Sequence, residues 1–250
     1  MKDFEVGAIL LARAESGDVD AMVDWATWRT VYNSDISLSD EEKTRVIRYY
    51  TEGMRKNNAT AYLNMGAMYY SGEIVEQDYK KAVELYEKAV ELGEAQAMCN
   101  LGYCYYYGRC VDRDYEKAYR LFSEAVFVDN NANAYYKLGD MYMEGLYVEK
   151  NEHMAYVLYM RAEANADDSD PNYMQADIFM RLGKCLLYGT GCKADALEAL
   201  NKLSRAESIY YKRIALNIPN SEIPLRETKQ LIDEAKSSLD SILKIDMDLM

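Results

Sequence analysis

An internal repeat of about 36 residues constrains this chain more than any other feature of its sequence. Three markers recur in register: a glycine after Leu or Met, a second glycine six residues later, and an alanine ten residues further on. Each marker advances by 36, 37 and then 44 residues, so we interpret the chain as an array of one structural unit. The markers are Gly66, Gly102, Gly139 and Gly183; Gly72, Gly108, Gly145 and Gly189; Ala82, Ala118, Ala155 and Ala199.

Each unit has the pattern of two helices joined by a turn. Residues such as Tyr62, Met65 and Tyr69 recur at three- and four-residue spacing, which is typical of one helix face. Glycine in mid-helix costs about 1 kcal/mol relative to alanine, so a repeated Gly66 predicts that a neighbouring helix passes close by. Asp78 is placed to cap the second helix. Such pairs must stack on one another, which predicts an all-α fold, an α/α superhelical solenoid of helix-turn-helix repeats.

The two ends of the chain follow the repeat only loosely. Upstream, a degenerate unit is preceded by a cap helix at 4–16, and Ser39 with Glu42 forms a capping-box pattern. The 44-residue step contains an acidic, proline-bearing insertion at 167–174. We predict one continuous domain in three parts: an N-terminal cap and degenerate repeat, the clear repeats, and long capping helices at 194–216 and 227–243. The parts span residues 1–58, 59–192 and 193–250.

The repeat resembles a known family. Residues 61–93 give the pattern A-x3-MG-x2-Y-x2-G-x2-V-x2-DYxKAxxLYxKAVxxG, and 97–126 follow it almost as well, which resembles the Sel1-like repeat, a relative of the tetratricopeptide repeat. The third unit departs from the pattern at Asn151 and Met154, and the fourth matches only in its first helix. The resemblance implies a helical solenoid that binds protein.

The resemblance also implies which side chains bind. In tetratricopeptide domains the residue two before the repeat glycine points into the concave groove formed by the first helices. Amides suit an extended peptide backbone and cations suit a carboxylate, so an acidic or free C-terminal tail is the sharpest hypothesis. The positions six before each glycine hold no cation, which departs from a full carboxylate clamp. The candidate groove residues are Asn64, Asn100, Lys137 and Arg181, flanked by Tyr103, Tyr107, Asp140 and Lys184.

Charge and composition narrow the partner class. The chain carries 42 acidic and 29 basic residues, a net charge of −13, and this acidity disfavours nucleic acid, whose binding rests on Lys and Arg neutralising phosphate. We expect a protein or peptide partner, and the acidity would draw basic partners. We see no signal peptide and no apolar run long enough to cross a membrane. Five cysteines without paired CxxC spacing fit reduced thiols in a cytoplasm, and non-classical export stays open.

Sequence motifs for chemistry are lacking. The single histidine, His153, is expected to be an exposed surface residue, and we predict no catalytic residue, no cofactor and no metal site. Cys104 and Cys185 share one repeat position, and Cys110 and Cys192 lie near equivalent turn positions.

We therefore predict a non-catalytic adaptor or scaffold. Two alternatives stay open: a self-associating module that forms a homodimer, and a β-lactam-binding or β-lactam-hydrolysing enzyme like secreted cysteine-rich relatives. Those relatives pair a first-helix cysteine with one on the second helix, and no predicted second helix here has a cysteine. The final helix could rest on the last repeat or lie in the groove.

Overall fold

The computed structural model describes residues 2–32, 37–166, 174–218 and 220–248. Over these residues the chain forms twelve α-helices and no β-strand, and a π-helical turn at Trp28–Tyr32 extends the second helix. The helices are α1 Lys2–Glu15, α2 Val19–Thr27, α3 Asp40–Arg55, α4 Ala59–Ser71, α5 Tyr79–Glu91, α6 Ala95–Tyr107, α7 Tyr115–Asp129, α8 Ala132–Glu144, α9 Glu152–Asn165, α10 Gln175–Tyr188, α11 Ala196–Ala215 and α12 Glu222–Asp248.

The chain divides into two compact units, residues 1–129 and 130–250, and each is described by itself. In the first unit α4 pairs with α5 and α6 with α7; in the second α8 pairs with α9 and α10 with α11, and α12 packs on α11. We call α4, α6, α8 and α10 the first helices and their partners the second helices. This arrangement confirms the all-α solenoid class, whereas the prediction of one continuous domain stays a prediction.

The repeat glycines mark the closest approach between paired helices. A Cβ atom added at Gly66 would lie 2.7 Å from the ring of Tyr86, and one at Gly139 would lie 2.5 Å from the ring of Tyr159. In all four pairs the side chain that fills the notch comes 20 residues after the glycine. The predicted close approach is therefore confirmed, and the partners of Gly66, Gly102, Gly139 and Gly183 are Tyr86, Phe122, Tyr159 and Leu203.

The turn between paired helices is built from a glycine and a capping side chain. Gly72 ends α4 at a φ of 74°, in the left-handed region that glycine adopts without strain. Asp78 then accepts a hydrogen bond from the main-chain N–H of Lys81 at 3.0 Å and begins α5, as predicted. These two residues fix where each first helix stops and its partner starts.

The terminal helices agree with the sequence in kind and differ in their bounds. The cap helix expected at 4–16 is α1, the Ser39–Glu42 capping box is present, and the helix expected at 194–216 is α11. The last helix begins at Glu222, earlier than expected, because Pro224 lies in its first turn, where a proline is tolerated. Of the predicted insertion at 167–174, all but Met174 lies outside the described residues.

Two further properties concern the described chain as a whole. None of its helices is long and apolar enough to cross a membrane. Within the same residues, no three His, Cys, Asp or Glu side chains are grouped so that they could hold a metal ion. His153 is exposed in the first turn of α9, with its Nδ1 atom 2.9 Å from the main-chain oxygen of Gly191.

Candidate protein-binding face

The candidate binding residues share fixed positions on the first helices: two before, one after or five after the repeat glycine. We call the eight candidate residues at these positions the first-helix face. In residues 1–129 this face carries Asn64, Asn100, Tyr103 and Tyr107. In residues 130–250 it carries Lys137, Asp140, Arg181 and Lys184.

Asn64 is oriented by the helix pair that precedes it. Its Nδ2 atom donates a hydrogen bond to Oγ1 of Thr27 at 3.0 Å. The Tyr50 hydroxyl, from α3, donates to the same Thr27 oxygen at 3.3 Å and lies 3.0 Å from the hydroxyl of Thr30. Burial raises the pKa of Tyr50, against the opposing effect of its hydrogen bonds with Thr27, Thr30 and Asn64. The Nδ2 group of the half-buried Asn64 side chain thus makes a hydrogen bond within the protein.

Asn100 is held in the same manner one repeat later. Its Oδ1 atom accepts a hydrogen bond from Nε2 of Gln96 at 2.9 Å, and its side chain also hydrogen-bonds to the hydroxyl of Tyr86. Burial raises the pKa of that hydroxyl. Tyr86 fills the notch at Gly66, so one side chain both packs a repeat and orients the asparagine of the next. Tyr50 and Tyr86 each stand 14 residues before their asparagine.

Tyr103 and Tyr107 form a stacked aromatic pair on α6. Their ring centroids lie 6.1 Å apart with an angle of 4° between the planes, and Tyr103 also packs edge-on against Phe122 at 5.6 Å. The side chain of Tyr107 is 42% exposed, and the guanidinium of Arg109 lies 5.0 Å from its ring centroid. Arg109 in turn donates a hydrogen bond to the Tyr70 hydroxyl. The aromatic pair therefore packs against Phe122 and Arg109 and is accessible at one end, at Tyr107.

In residues 130–250 the face is an ion-pair network centred on Asp140. Lys137 contacts its Oδ2 atom at 3.1 Å, and Arg181 contacts both oxygens at 2.5 and 3.1 Å. The Tyr159 hydroxyl donates to Oδ1 at 3.0 Å. The structure thus brings three of the predicted residues together, but they bond to one another. The Lys137 side chain is only 3% exposed, whereas that of Arg181 is 25% exposed.

The network determines the ionisation of its members. Burial by itself would raise the pKa of Asp140, yet the charges of Arg181 and Lys137 outweigh burial and lower it. The Lys137 ammonium and the Arg181 guanidinium each lie 4.4 Å from the ring centroid of Tyr136, a cation–π geometry. Asp140 is therefore a carboxylate at neutral pH, shared by two cations.

Lys184 contacts the C-terminal helix. Its ammonium lies 3.1 Å from Oε1 of Glu227 on α12, and the Tyr188 hydroxyl donates to Oε2 of Glu234 at 2.6 Å. The second bond and burial raise the pKa of Tyr188 to about 12. Residues such as Leu231, which is 4% exposed, pack α12 on the last repeat, so α12 rests there and borders the first-helix face.

Two features of this face escaped the sequence analysis. Asp177 receives hydrogen bonds from Tyr210 and Arg213, both at 2.8 Å, which adds a second, half-buried acid–base pair next to Arg181. The central role of Asp140 was also missed, because it was assigned only as a flanking residue. The three-residue spacing of Lys137 and Asp140 on one helix could have indicated their ion pair. No sequence pattern indicated the contacts of Asp140 with Tyr159 and Arg181, which lie on other helices.

Comparisons with known proteins agree with this fold. The sequence profile of the Sel1 repeat matches residues 59–94, 95–126, 132–167 and 180–201, about half of the chain. No curated protein matches the chain in sequence. Among solved structures, a Sel1 repeat protein from Oxalobacter formigenes is similar, with a TM-score of 0.63, 21% identity and 88% coverage of each chain.

Two further solved structures share the fold. A Sel1 repeat protein described as putative, from Klebsiella pneumoniae, has a TM-score of 0.54 and 16% identity, over 90% of this chain and 98% of that chain. A protective antigen of uropathogenic Escherichia coli with an SLR fold has a TM-score of 0.56 and 22% identity, over 91% of this chain and 56% of that chain. At these identities the likeness shows the fold alone.

Proposed function

Because this chain belongs to the Sel1 repeat family, we propose that it is a non-catalytic scaffold that holds a peptide or protein segment on the first-helix face. Repeats of this family commonly mediate protein–protein interactions. One observation carries the proposal: in residues 1–129 this face presents amide and tyrosine side chains that hydroxyl groups of neighbouring helices and ring contacts hold in place.

The chemistry of the asparagines suits an extended peptide. A primary amide offers two donors and a carbonyl acceptor, which matches the alternating N–H and C=O groups of a backbone. Asn64 and Asn100 occupy equivalent positions in consecutive repeats, and Tyr50 and Tyr86 fix them before any partner arrives. Because ordered side chains lose little entropy on binding, this fixation favours affinity.

Tyr103 and Tyr107 supply the apolar contact in this proposal. Tyrosine gives a large, rigid contact area with few rotatable bonds, and such residues often dominate binding energy. Tyr107 is 42% exposed and its ring is fixed by its stack with Tyr103. A side chain of the partner that packs on Tyr107 would anchor the segment whose backbone the asparagines contact.

In residues 130–250 the proposal assigns different roles to the cations. Arg181 exposes a quarter of its side chain and Lys184 about half, so both can meet an acidic group or a C-terminal carboxylate of the partner. Lys137 is 3% exposed and bound to Asp140, so its role is to hold Asp140 and thereby Arg181. A partner carboxylate at Arg181 has to compete with Asp140, which makes this contact weaker than a free clamp.

A selection from random linear peptides displayed on phage tests the proposal. A selected peptide is synthesised, and its affinity is measured by fluorescence anisotropy with wild-type protein and with Asn100→Ala and Tyr107→Ala. We expect each variant to bind at least about tenfold more weakly, which corresponds to about 1.4 kcal/mol. The matched control is Tyr79→Ala on second helix α5, since Tyr79 is 40% exposed, nearly as much as Tyr107.

The outcome distinguishes the competing ideas. Equal binding by wild type, Asn100→Ala and Tyr107→Ala at unchanged helicity would place the site elsewhere and contradict the proposal. Self-association is a separate possibility, and light scattering over a range of concentrations measures it directly. If the wild type is a dimer that Tyr107→Ala dissociates, the first-helix face binds a second copy and the scaffold proposal gives way to the self-associating module.

A further inference from the structure

The turn after α10 directs one cysteine at another. Cys185 lies on α10, and Cys192 lies in the turn that leads to α11. The thiol of Cys192 donates a hydrogen bond to the main-chain oxygen of Cys185 at 3.5 Å. Both side chains pack in the same apolar cluster, around Tyr159 and Leu182. The Cys192 sulfur therefore lies 3.5 Å from the main chain of the residue that carries the second sulfur.

The main chain between the two cysteines is firmly held. The carbonyl of Cys185 also accepts hydrogen bonds from the N–H groups of Gly189, which ends the helix, and Thr190, the latter at 2.9 Å. Gly191 packs directly on the main chain of Glu152, where a Cβ atom would lie 2.1 Å from the Glu152 oxygen. A disulfide tolerates only a narrow range of separations, and a fixed turn keeps the two residues at constant distance.

We propose that Cys185 and Cys192 form a disulfide bond with each other by thiol–disulfide exchange with a low-molecular-weight disulfide such as glutathione disulfide. The thiol of Cys192 is half-buried and that of Cys185 is buried, so Cys192 reacts first. Its thiolate attacks one sulfur of the small disulfide, the S–S bond breaks, and one small thiolate leaves and takes up a proton.

The second step closes the bridge. Cys185 loses its proton to water, and its thiolate attacks the Cys192 sulfur, which expels the second small thiolate. Two protein thiols are oxidised to one disulfide, and one small disulfide is reduced to two thiols. All five cysteines are free thiols in this structure. In a reducing compartment the pair stays as thiols, and a rise in the ratio of small disulfide to small thiol drives the reaction forward.

The location of the bridge gives it a structural consequence. Cys185 follows Lys184, which pairs with Glu227 of α12, and the turn residue Gly191 lies against α9. The bridge would therefore add a covalent link within the turn at which α9, α10 and α11 meet, next to the contact with α12. A related pair, Cys104 and Cys110, sits at the corresponding turn of residues 1–129, but there the second cysteine is exposed.

The reaction should depend on pH in a defined direction. Burial raises the pKa of Cys185 to about 12, and it also raises the pKa of Cys192. Both groups are thus protonated at neutral pH, and the attacking thiolate is scarce. The rate of bridging should rise roughly tenfold per pH unit between about pH 7 and pH 9, because the thiolate fraction rises by that factor below the pKa.

Mass spectrometry of the full chain tests the site directly. The folded protein is incubated with glutathione disulfide at about pH 8.5 and quenched with acid. It is then unfolded in guanidinium chloride at near-neutral pH, alkylated with N-ethylmaleimide and digested with trypsin. Cleavage after Lys184 and Lys193 leaves both cysteines on peptide 185–193. We expect this peptide to carry no alkyl group and to be about 2 Da lighter than the unalkylated reduced peptide. The peptide that contains Cys99 should carry an alkyl group. Two alkyl groups, glutathione adducts alone, or a bridge to another peptide would overturn the proposal.

The variant Cys192→Ser provides the control. Cys192 is partly exposed, so the serine should leave helicity unchanged, and circular dichroism checks this. In this variant Cys185, which is 3% exposed, should remain a thiol over the same incubation. If the Cys185 thiol of the Cys192→Ser variant is oxidised as fast as in the wild type, the proposed pairing with Cys192 is wrong.

Discussion

The two units of this chain place different chemistry at one repeat position. In residues 1–129 that position holds Asn64 and Asn100, which are hydrogen-bonded to the hydroxyls of Tyr50 on α3 and Tyr86 on α5. In residues 130–250 it holds Lys137 and Arg181, both bound to Asp140. In this chain, both charged side chains at this position contact the same aspartate, whereas both neutral ones contact a tyrosine hydroxyl.

The difference has an energetic consequence. A neutral hydrogen bond adds about 1 kcal/mol to stability, and its loss leaves neutral groups behind. A buried ion pair costs desolvation on both sides, and the removal of one partner strands the other charge in a poorly solvated site. Residues 130–250 should therefore be more sensitive to single substitutions at this face than residues 1–129, where the loss of one partner leaves no unpaired charge.

The largest effect is expected for Asp140→Ala. This change leaves Lys137, which is 3% exposed, and Arg181 without their shared carboxylate. We expect the free energy of unfolding to fall by about 3–5 kcal/mol, as for other broken buried ion pairs. Urea denaturation followed by circular dichroism measures the change.

The control for this prediction is an exposed ion pair in the same unit. Glu152→Ala removes the partner of Lys150, whose side chain is 59% exposed. Its cost should stay below about 1 kcal/mol, since solvent screens such pairs. If Asp140→Ala costs no more than Glu152→Ala, the contrast between the two units is wrong.

The fold was readable from the sequence because its constraints are local and repeated. The period and the close helix approach could be predicted from the repeat glycines Gly66, Gly102, Gly139 and Gly183. The boundary between paired helices could be predicted from the turn that runs from a glycine to a capping aspartate. The start of the last helix was predicted too late, because a proline in a first helical turn, such as Pro224, resembles a helix breaker in sequence.

The candidate face was only partly readable. The sequence placed its residues, since their positions follow from the period. It did not show that Lys137 and Arg181 converge on Asp140, because Arg181 comes from another helix 41 residues later. Contacts between separate helices depend on packing angles and side-chain rotamers, and no local pattern encodes them.

Removal of single hydroxyl groups sharpens the comparison. Tyr159→Phe deletes a hydrogen bond to the Asp140 carboxylate, and Tyr86→Phe deletes one to the Asn100 amide. Hydrogen bonds to charged groups contribute about 1.5–3 kcal/mol and neutral ones about 0.5–1.5 kcal/mol. Tyr159→Phe should therefore destabilise more than Tyr86→Phe in urea denaturation. Equal costs would mean that the Asp140 network is no stronger than the amide contacts.

Acid denaturation tests the first unit, which has its own charged contact away from the face. A hydrogen bond from Arg29 and others at Ser39 lower the pKa of Glu42 to about 2. Because this pKa is lower in the folded chain than in the unfolded chain, the contribution is complete above about pH 4.5. It is lost as the pH falls toward 2. Glu42→Gln should remove about 1 kcal/mol of this pH dependence, allowing for its partial exposure. Identical acid profiles would contradict this assignment.

The smallest effect is expected where α12 borders the face. Lys184 and Glu227 are 52% and 43% exposed, so Lys184→Ala should cost less than about 1 kcal/mol. Leu231→Ala, at a site 4% exposed, should cost about 2–5 kcal/mol because it empties a packed site. A larger cost for Leu231→Ala than for Lys184→Ala would show that apolar packing holds α12 and that Lys184 remains available to a partner. A cost for Lys184→Ala close to that of Leu231→Ala, measured in the same urea titration, would mean that the ion pair is structural and would remove Lys184 from the proposed binding face.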